Sequence, residues 1–146
     1  MSETTQEDIE SWLWEAATIL RGPVDPANLR DFVFPLLFLK RLSDTWDEEQ
    51  QKAVEAFGPH IDADVAADFH TFRIPDGCHW ADLRRVAENH GVLIQNIMQK
   101  IEEANPERLA EIFGNAPWAD HNKMPPERLE RFVDHFSQRD LSPSQV

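Results

Sequence analysis

Few residues of this 146-residue chain have the types and spacing that catalysis or metal binding requires. The chain has one cysteine, Cys78, which lies next to His79, and His90 follows later. Thiolate and imidazole groups bind zinc, so these three residues are a candidate metal site. The six histidines include no pair at the helical i, i+4 spacing, and there is no second cysteine. Surface or capped histidines are therefore the stronger interpretation.

A second candidate is the segment NAPW at residues 115–118. It is one substitution away from the Asn-Pro-Pro-aromatic motif with which amino-methyltransferases hold a flipped base. That motif follows a strand of a parallel sheet, whereas this segment follows a stretch of helical pattern that ends at Gly114. We therefore interpret residues 115–118 as a loop with Trp118 packed inward.

Nucleotide cofactors have no recognisable binding loop in this sequence. The five glycines are widely spaced, so neither a dinucleotide fingerprint nor a phosphate loop is present. No serine lies in a G-x-S-x-G turn. Carboxylates are so frequent that their proximity in sequence identifies no acid-base pair. The sequence thus predicts no catalytic, cofactor-binding or metal-binding residue.

The charge of the chain limits how it could contact DNA. It carries 14 Lys and Arg against 27 Asp and Glu, a formal net charge of −13. Such a chain repels phosphate, so any DNA contact must come from a local basic patch or from a larger partner. The candidates are Arg21 and the adjacent pairs Lys40, Arg41 and Arg84, Arg85. The alternative is that these cations form ion pairs within the chain, with acids such as Asp44 and Glu88.

A helical pattern must position these residues. Apolar side chains recur on one helical face from Ile9 to Leu20, after a possible capping box that begins at Thr4. Gly22 and the proline after it end this helix. Trp14 lies on the opposite face. It is either packed under another element or exposed as an anchor for a partner.

The second predicted helix is expected to be the centre of the core. Asp25 is its N-cap, Pro26 its first residue, and it extends towards Phe57. The run FVFPLLFL at residues 32–39 is apolar on all sides, which is typical of a helix enclosed by others. Four of its residues should pack on the first helix and on the stripe at 94–101. They are Phe32, Val33, Leu36 and Leu39.

Further helices are predicted over residues 63–69, 80–88, 93–104 and 106–114, and from residue 126 onwards. Residues 71–74 form at most one short extended segment. The predicted fold is mainly α, a compact multi-helix bundle that makes residues 1–146 a single domain. The longest apolar run has eight residues, whereas a membrane span takes about 18. The acidic N-terminus is unlike a secretory signal, so we expect a cytoplasmic protein.

Several segments in this order resemble the N-terminal helical domain of the modification (M) subunit of type I restriction-modification systems. They are LWEAATILRG at 13–22, VDP at 24–26, FVFPLLFLKRLSD at 32–44, WADL at 80–83, LAEIFGN at 109–115, FVDHFS at 132–137 and DLS at 140–142. The similarity covers nearly the whole chain and is far more specific than a short motif.

The resemblance implies that the parent subunit is an adenine-specific DNA methyltransferase that uses S-adenosylmethionine. The implied partners are the rest of the M subunit, a second M subunit, a specificity subunit, a nuclease subunit, and DNA. The catalytic motifs of that family lie downstream of the helical domain, so no catalytic position carries over to this chain. We expect a truncated or separately produced domain that binds no cofactor. Its implied role is assembly of the complex and closure around DNA.

Two other functions remain open on the sequence. An acidic interaction protein or DNA mimic would account for the net charge of −13. A mimic would, however, arrange its acidic residues in a double row, and here they occur in most predicted helices. A small metalloenzyme using Cys78 and the histidines is the weaker alternative.

Overall fold

The computed structural model describes residues 6–145, and within that range it contains six α-helices and no strand. The helices are α1 (Gln6–Leu20), α2 (Leu29–Phe57), α3 (Ala63–Ala67), α4 (Trp80–Arg85), α5 (His90–Ala104) and α6 (Pro126–Phe136). The predicted mainly α fold is confirmed. The possible capping box at Thr4 lies outside the described residues.

The turn between α1 and α2 follows from its sequence. Gly22 has a φ of +99°, a conformation that residues with a side chain rarely adopt, so the helix cannot continue through it. The carboxylate of Asp25 then accepts a hydrogen bond of 2.9 Å from the backbone N–H of Ala27. Residues Pro26–Asn28 form a single 3-10 turn, and α2 begins after it. The predicted N-cap is confirmed, but it caps the 3-10 turn and not α2 itself.

The long helix α2 supplies the centre of the core. Phe32, Leu36 and Leu39 are each 1% exposed or less, and Val33 is also buried. Three of the partners predicted for them, Ala16, Leu20 and the stripe Ile94 to Ile101, belong to the same buried cluster. Leu13, the fourth, is only partly buried at its edge. The predicted core is therefore confirmed in its main elements.

Helices α1 and α6 pack against each other through an aromatic cluster. The rings of Trp12 and His135 are stacked with centroids 5.2 Å apart, and Phe136 meets Trp12 edge-on at 5.0 Å. Nε2 of His135 lies 2.8 Å from the backbone carbonyl of Trp12, which fixes the orientation of the imidazole. The first and last helices therefore lie together.

The loop 115–118 is packed against α2 and α5. Trp118 is 2% exposed, and its ring meets Phe32 edge-on at 4.9 Å. Near the start of α5, Gly91 lies directly on the backbone of Trp118: a Cβ atom at Gly91 would be 2.0 Å from the Trp118 carbonyl oxygen. The interpretation of residues 115–118 as a loop with Trp118 inward is confirmed.

The prediction of a helix over residues 106–114 is wrong. These residues form consecutive turns with i→i+3 hydrogen bonds, such as that from Ile112 to Leu109. Glu111 has a φ of +60°, which interrupts any helix there. Leu109 and Phe113 are nonetheless buried, so the apolar spacing that predicted the helix reflects burial only.

The segment before α4 is irregular, and two predicted helices are shorter than expected, α3 ending at Ala67 and α4 at Arg85. Residues 71–74 form no strand. Instead, the side-chain amide of Asn105 accepts from the N–H of Arg73 and donates to its carbonyl, both at 2.8 Å. One side chain thus satisfies the backbone groups that a neighbouring strand would otherwise pair.

Candidate functional site

Trp14 is the most exposed large apolar side chain among the described residues. Its side chain projects from α1 with 63% of its surface accessible, so no other element of the described chain covers it. The guanidinium of Arg21 lies over its ring, 4.7 Å from the centroid. A cation over an indole face forms a favourable contact even at an exposed site. The two residues therefore make one joint surface feature, formed by α1 and the residue that follows it.

Lys40 is buried, although it was predicted as a candidate DNA contact. Its ammonium group forms an ion pair with Asp44 one turn later on α2, and it donates a hydrogen bond of 2.6 Å to the carbonyl of Arg139. Burial raises the pKa of Asp44, and the hydrogen bond from Lys40 opposes that rise. The ammonium is thus directed at groups of its own chain.

Arg41 and Asp44 hold the segment 139–145 along α2. The guanidinium of Arg41 donates to the carbonyl of Leu141, and the N–H of Leu141 donates to Asp44 at 2.7 Å. Further along, the N–H of Ser144 donates to Glu48 at 3.1 Å. These contacts indicate a structural role for both cations of the pair Lys40 and Arg41.

Arg84 and Arg85 are exposed on α4. Arg84 pairs with Asp134 of α6, where both side chains are about half exposed, and Arg85 pairs with Asp82 at 3.2 Å. The side chain of Arg85 is 77% accessible. Exposed ion pairs contribute about 0–1 kcal/mol, so either guanidinium can exchange its carboxylate for a phosphate at little cost.

The six candidate residues lie in three separate groups. Within residues 6–145, no hydrogen bond, ion pair or ring contact joins Arg21, the pair at Lys40 and the pair at Arg84 to one another. Lys40, Arg84 and Arg85 each form an ion pair within the chain, as the alternative to DNA contact predicted. No single basic patch is assembled from all of them.

The candidate metal site at Cys78, the weaker interpretation of the sequence, lacks a supporting arrangement of side chains. Cys78 is 2% exposed, and burial raises the pKa of its thiol, which disfavours the thiolate that binds metal. The ring of His79 instead meets Trp46 at 4.5 Å. In the part of the chain that the structure describes, no group of three or more His, Cys, Asp or Glu side chains could hold a metal ion.

None of the described helices is both long and apolar enough to cross a bilayer.

Three exposed apolar side chains form a surface feature that the sequence did not predict. Phe34 and Phe38, expected to be enclosed, are 44% and 40% exposed, and Ile112 beside them is 37% exposed. They line a depression of about 430 Å³ between α2 and the turns at 111–117. The spacing of Phe34 and Phe38, four residues apart, was the available signal, because it places both on one face of α2.

Comparison with known families identifies the domain. The family model described as the HsdM N-terminal domain matches residues 9–136, from the first helix to the end of α6. A search of curated proteins gave no match. Since the family model covers most of the chain, the protein belongs to the HsdM N-terminal domain family, the N-terminal domains of type I restriction-modification M subunits.

Proposed function

We propose that this domain is a non-catalytic assembly module of an adenine-specific type I DNA methyltransferase. It helps to build the methyltransferase complex and to close it around DNA. The observation that carries the proposal is the family match over residues 9–136. Its proposed partners are the rest of the M subunit, a second M subunit, the specificity subunit and the nuclease subunit, in the bacterial cytoplasm.

The chemistry of methyl transfer belongs, in this proposal, to the catalytic part of the M subunit, which binds S-adenosylmethionine. The sequence of the helical domain contains no glycine-rich cofactor loop and no Asn-Pro-Pro-aromatic motif. NAPW, the segment most similar to that motif, has its Trp118 ring buried against Phe32 and so not free to stack on a base.

The electrostatics favour protein contacts over extensive DNA contacts. The net charge of −13 opposes binding to phosphate, and Lys40 is directed at its own chain. Arg84 and Arg85 are the exposed cations whose weak ion pairs allow a local phosphate contact. We therefore propose that DNA is held chiefly by the rest of the complex, with a small contribution from α4.

An acidic interaction protein or DNA mimic is the second candidate, because of the same net charge. A mimic would compete with DNA for the complex. The assembly role predicts the opposite, namely that the domain is needed for DNA to be retained. Adding the separate chain to a DNA-bound methyltransferase distinguishes the two, since only a mimic displaces the duplex.

The proposed function is tested by deleting residues 9–136 from the M subunit and co-expressing it with its specificity subunit. We expect the deleted subunit to bind S-adenosylmethionine in calorimetry but to form less complex in size-exclusion chromatography with light scattering. Its retention of DNA should also fall. The calorimetry controls for folding of the catalytic part. Unchanged assembly and DNA retention would contradict the proposal.

A further inference from the structure

We propose that the depression between α2 and residues 111–117 docks a protein segment from outside this domain. That segment inserts apolar side chains and carries Lys or Arg on its flanks. The inference rests on the proposed function, in that the segment belongs to the same methyltransferase complex. We call the depression, with its centre at Phe34, Phe38 and Ile112, the α2 groove.

The centre of the α2 groove is apolar and uncovered. Seven large apolar side chains are exposed in the part of the chain that the structure describes, and three of them, Phe34, Phe38 and Ile112, lie together here. Single exposed apolar residues are ordinary on protein surfaces, whereas a contiguous group marks a contact surface. Aromatic side chains are also enriched among the residues that dominate binding energy.

The walls of the α2 groove include two prolines and a buried aromatic side chain. Pro35 and Pro117 line it, and the neighbouring Phe113 is 1% exposed. Pro35 has no N–H, so the carbonyl of Asp31 receives no helical hydrogen bond from it.

The flanks of the groove are acidic. Asp31 and Glu111 line it together with one cation, Arg30. A second depression of about 450 Å³ adjoins it, sharing residues 114–116, and is lined by Glu102 and Glu103 but by no Lys or Arg. The groove and the adjoining depression together are therefore lined by four carboxylates and one guanidinium.

The charge distribution selects the occupant. A second copy of this domain would bring another net charge of −13 to an acidic surface, and DNA would bring phosphates. Both are repelled. A protein segment with Lys or Arg on both sides of its apolar residues matches the surface, and charge complementarity of this kind sets both partner choice and association rate.

The test places the photo-crosslinking residue p-benzoylphenylalanine at position 38 of the M subunit in the assembled complex. We expect irradiation to join position 38 to one contiguous peptide outside residues 1–146 with Lys or Arg beside its apolar residues. The crosslink yield should fall several-fold between low and high salt, because exposed charges are screened. The same residue at position 92, where Val92 is 48% exposed on α5, is the matched control and should not label that peptide.

Two sets of substitutions test the apolar centre and the acidic flanks of the α2 groove separately. Phe34→Ser should lower the crosslink yield from position 38 about tenfold, as expected for a contact residue. Glu102→Gln with Glu103→Gln should lower it several-fold and reduce its salt dependence. All three side chains are accessible at the surface, so an unchanged melting temperature verifies folding in each case.

The opposing outcomes are distinct. Crosslinks to a second copy of this domain, to DNA, to many unrelated peptides, or to nothing would overturn the groove proposal, even where the complex assembles normally. If the M subunit that lacks residues 9–136 assembles as well as the complete M subunit, the proposed function is overturned instead. The two failures are therefore read from different measurements.

Discussion

Lys40 and Asp44 form a buried ion pair one turn apart on α2, with 5% and 12% of their side chains accessible. The pair is extended by the carbonyl of Arg139 on the side of Lys40 and by the N–H of Leu141 on the side of Asp44. The spacing of Lys40 and Asp44 indicates only a local ion pair within one helix. In the structure, the same pair also binds the segment 139–141, nearly a hundred residues away.

Asp44→Ala should destabilise the domain by about 3–5 kcal/mol at pH 7, because it removes the carboxyl group that accepts from both the buried Lys40 and the N–H of Leu141. Urea denaturation followed by circular dichroism measures the loss. Asp134→Ala is the matched control, since its pair with Arg84 is exposed, and it should cost about 1 kcal/mol or less. Equal losses in both variants would mean that burial of the Lys40 pair is unimportant.

The pH dependence of the same variant has a definite sign. Burial raises the pKa of Asp44 in the folded chain above its value in the unfolded chain, so the folded state binds this proton more tightly. The contribution of Asp44 to stability is therefore largest at low pH and is lost as pH rises through the folded pKa. The difference in unfolding free energy between the native protein and Asp44→Ala should therefore be larger at pH 4 than at pH 7. A narrowing difference would show that the pKa is lowered instead.

Arg84→Ala with Arg85→Ala should weaken DNA binding by the assembled methyltransferase equally for all sequences. If both residues contact phosphates, the slope of log affinity against log salt shrinks by about one for each lost contact. Arg108→Ala is the control, because its exposed guanidinium lies over the ring of Phe72. An unchanged slope with assembly intact would leave Arg84 and Arg85 as structural ion-pair residues.

Gly91→Ala should destabilise the domain although alanine favours helices by about 1 kcal/mol over glycine. The added Cβ would lie 2.0 Å from the carbonyl oxygen of Trp118, so α5 and the loop must move apart. We expect a net loss of about 1–3 kcal/mol, typical of overpacking. Asn96→Ala, on the exposed face of the same helix, should change stability by less than about 0.5 kcal/mol. A gain in stability for Gly91→Ala would contradict the close contact.

Leu36→Ala should cost about 2–5 kcal/mol, because Leu36 is fully buried at the centre of the core. Phe34→Ala on the same helix removes a larger but exposed side chain and should cost much less. Thermal denaturation of both variants measures the contrast. A loss below about 0.5 kcal/mol for Leu36→Ala would mean that α2 is peripheral to the core.

Local periodicity predicted the long helices and the centre of the core because one helical face determines both. The same reasoning failed at residues 106–114, where Leu109 and Phe113 are spaced as on a helix but the backbone turns at Glu111. A positive φ at a glutamate has no local sequence signal. The amide of Asn105 that replaces a strand partner for Arg73 is similarly determined by tertiary contact.

Among the candidate contact residues, too, local contacts could be predicted from the sequence and long-range contacts could not. The pairing of Lys40 with Asp44 was foreseeable from the i, i+4 spacing. The pairing of Arg84 with Asp134 was not, since the two residues are 50 positions apart. The α2 groove was missed because an all-round apolar helix is expected to be covered, and only the packed structure shows that Phe34 and Phe38 are not.

The attachment of residues 139–145 to α2 affects how this domain can be cut and made. The family match ends at residue 136, but the carbonyls that receive Lys40 and Arg41 belong to Arg139 and Leu141, 99 and 100 positions later. A fragment trimmed to the matched range would lose both acceptors, so the physical domain extends to at least residue 144. Both acceptors lie behind the last helix, so neither contact can form before residues 139–141 have been synthesised. On the ribosome, this domain completes its fold only after its last helix and the residues behind it have emerged.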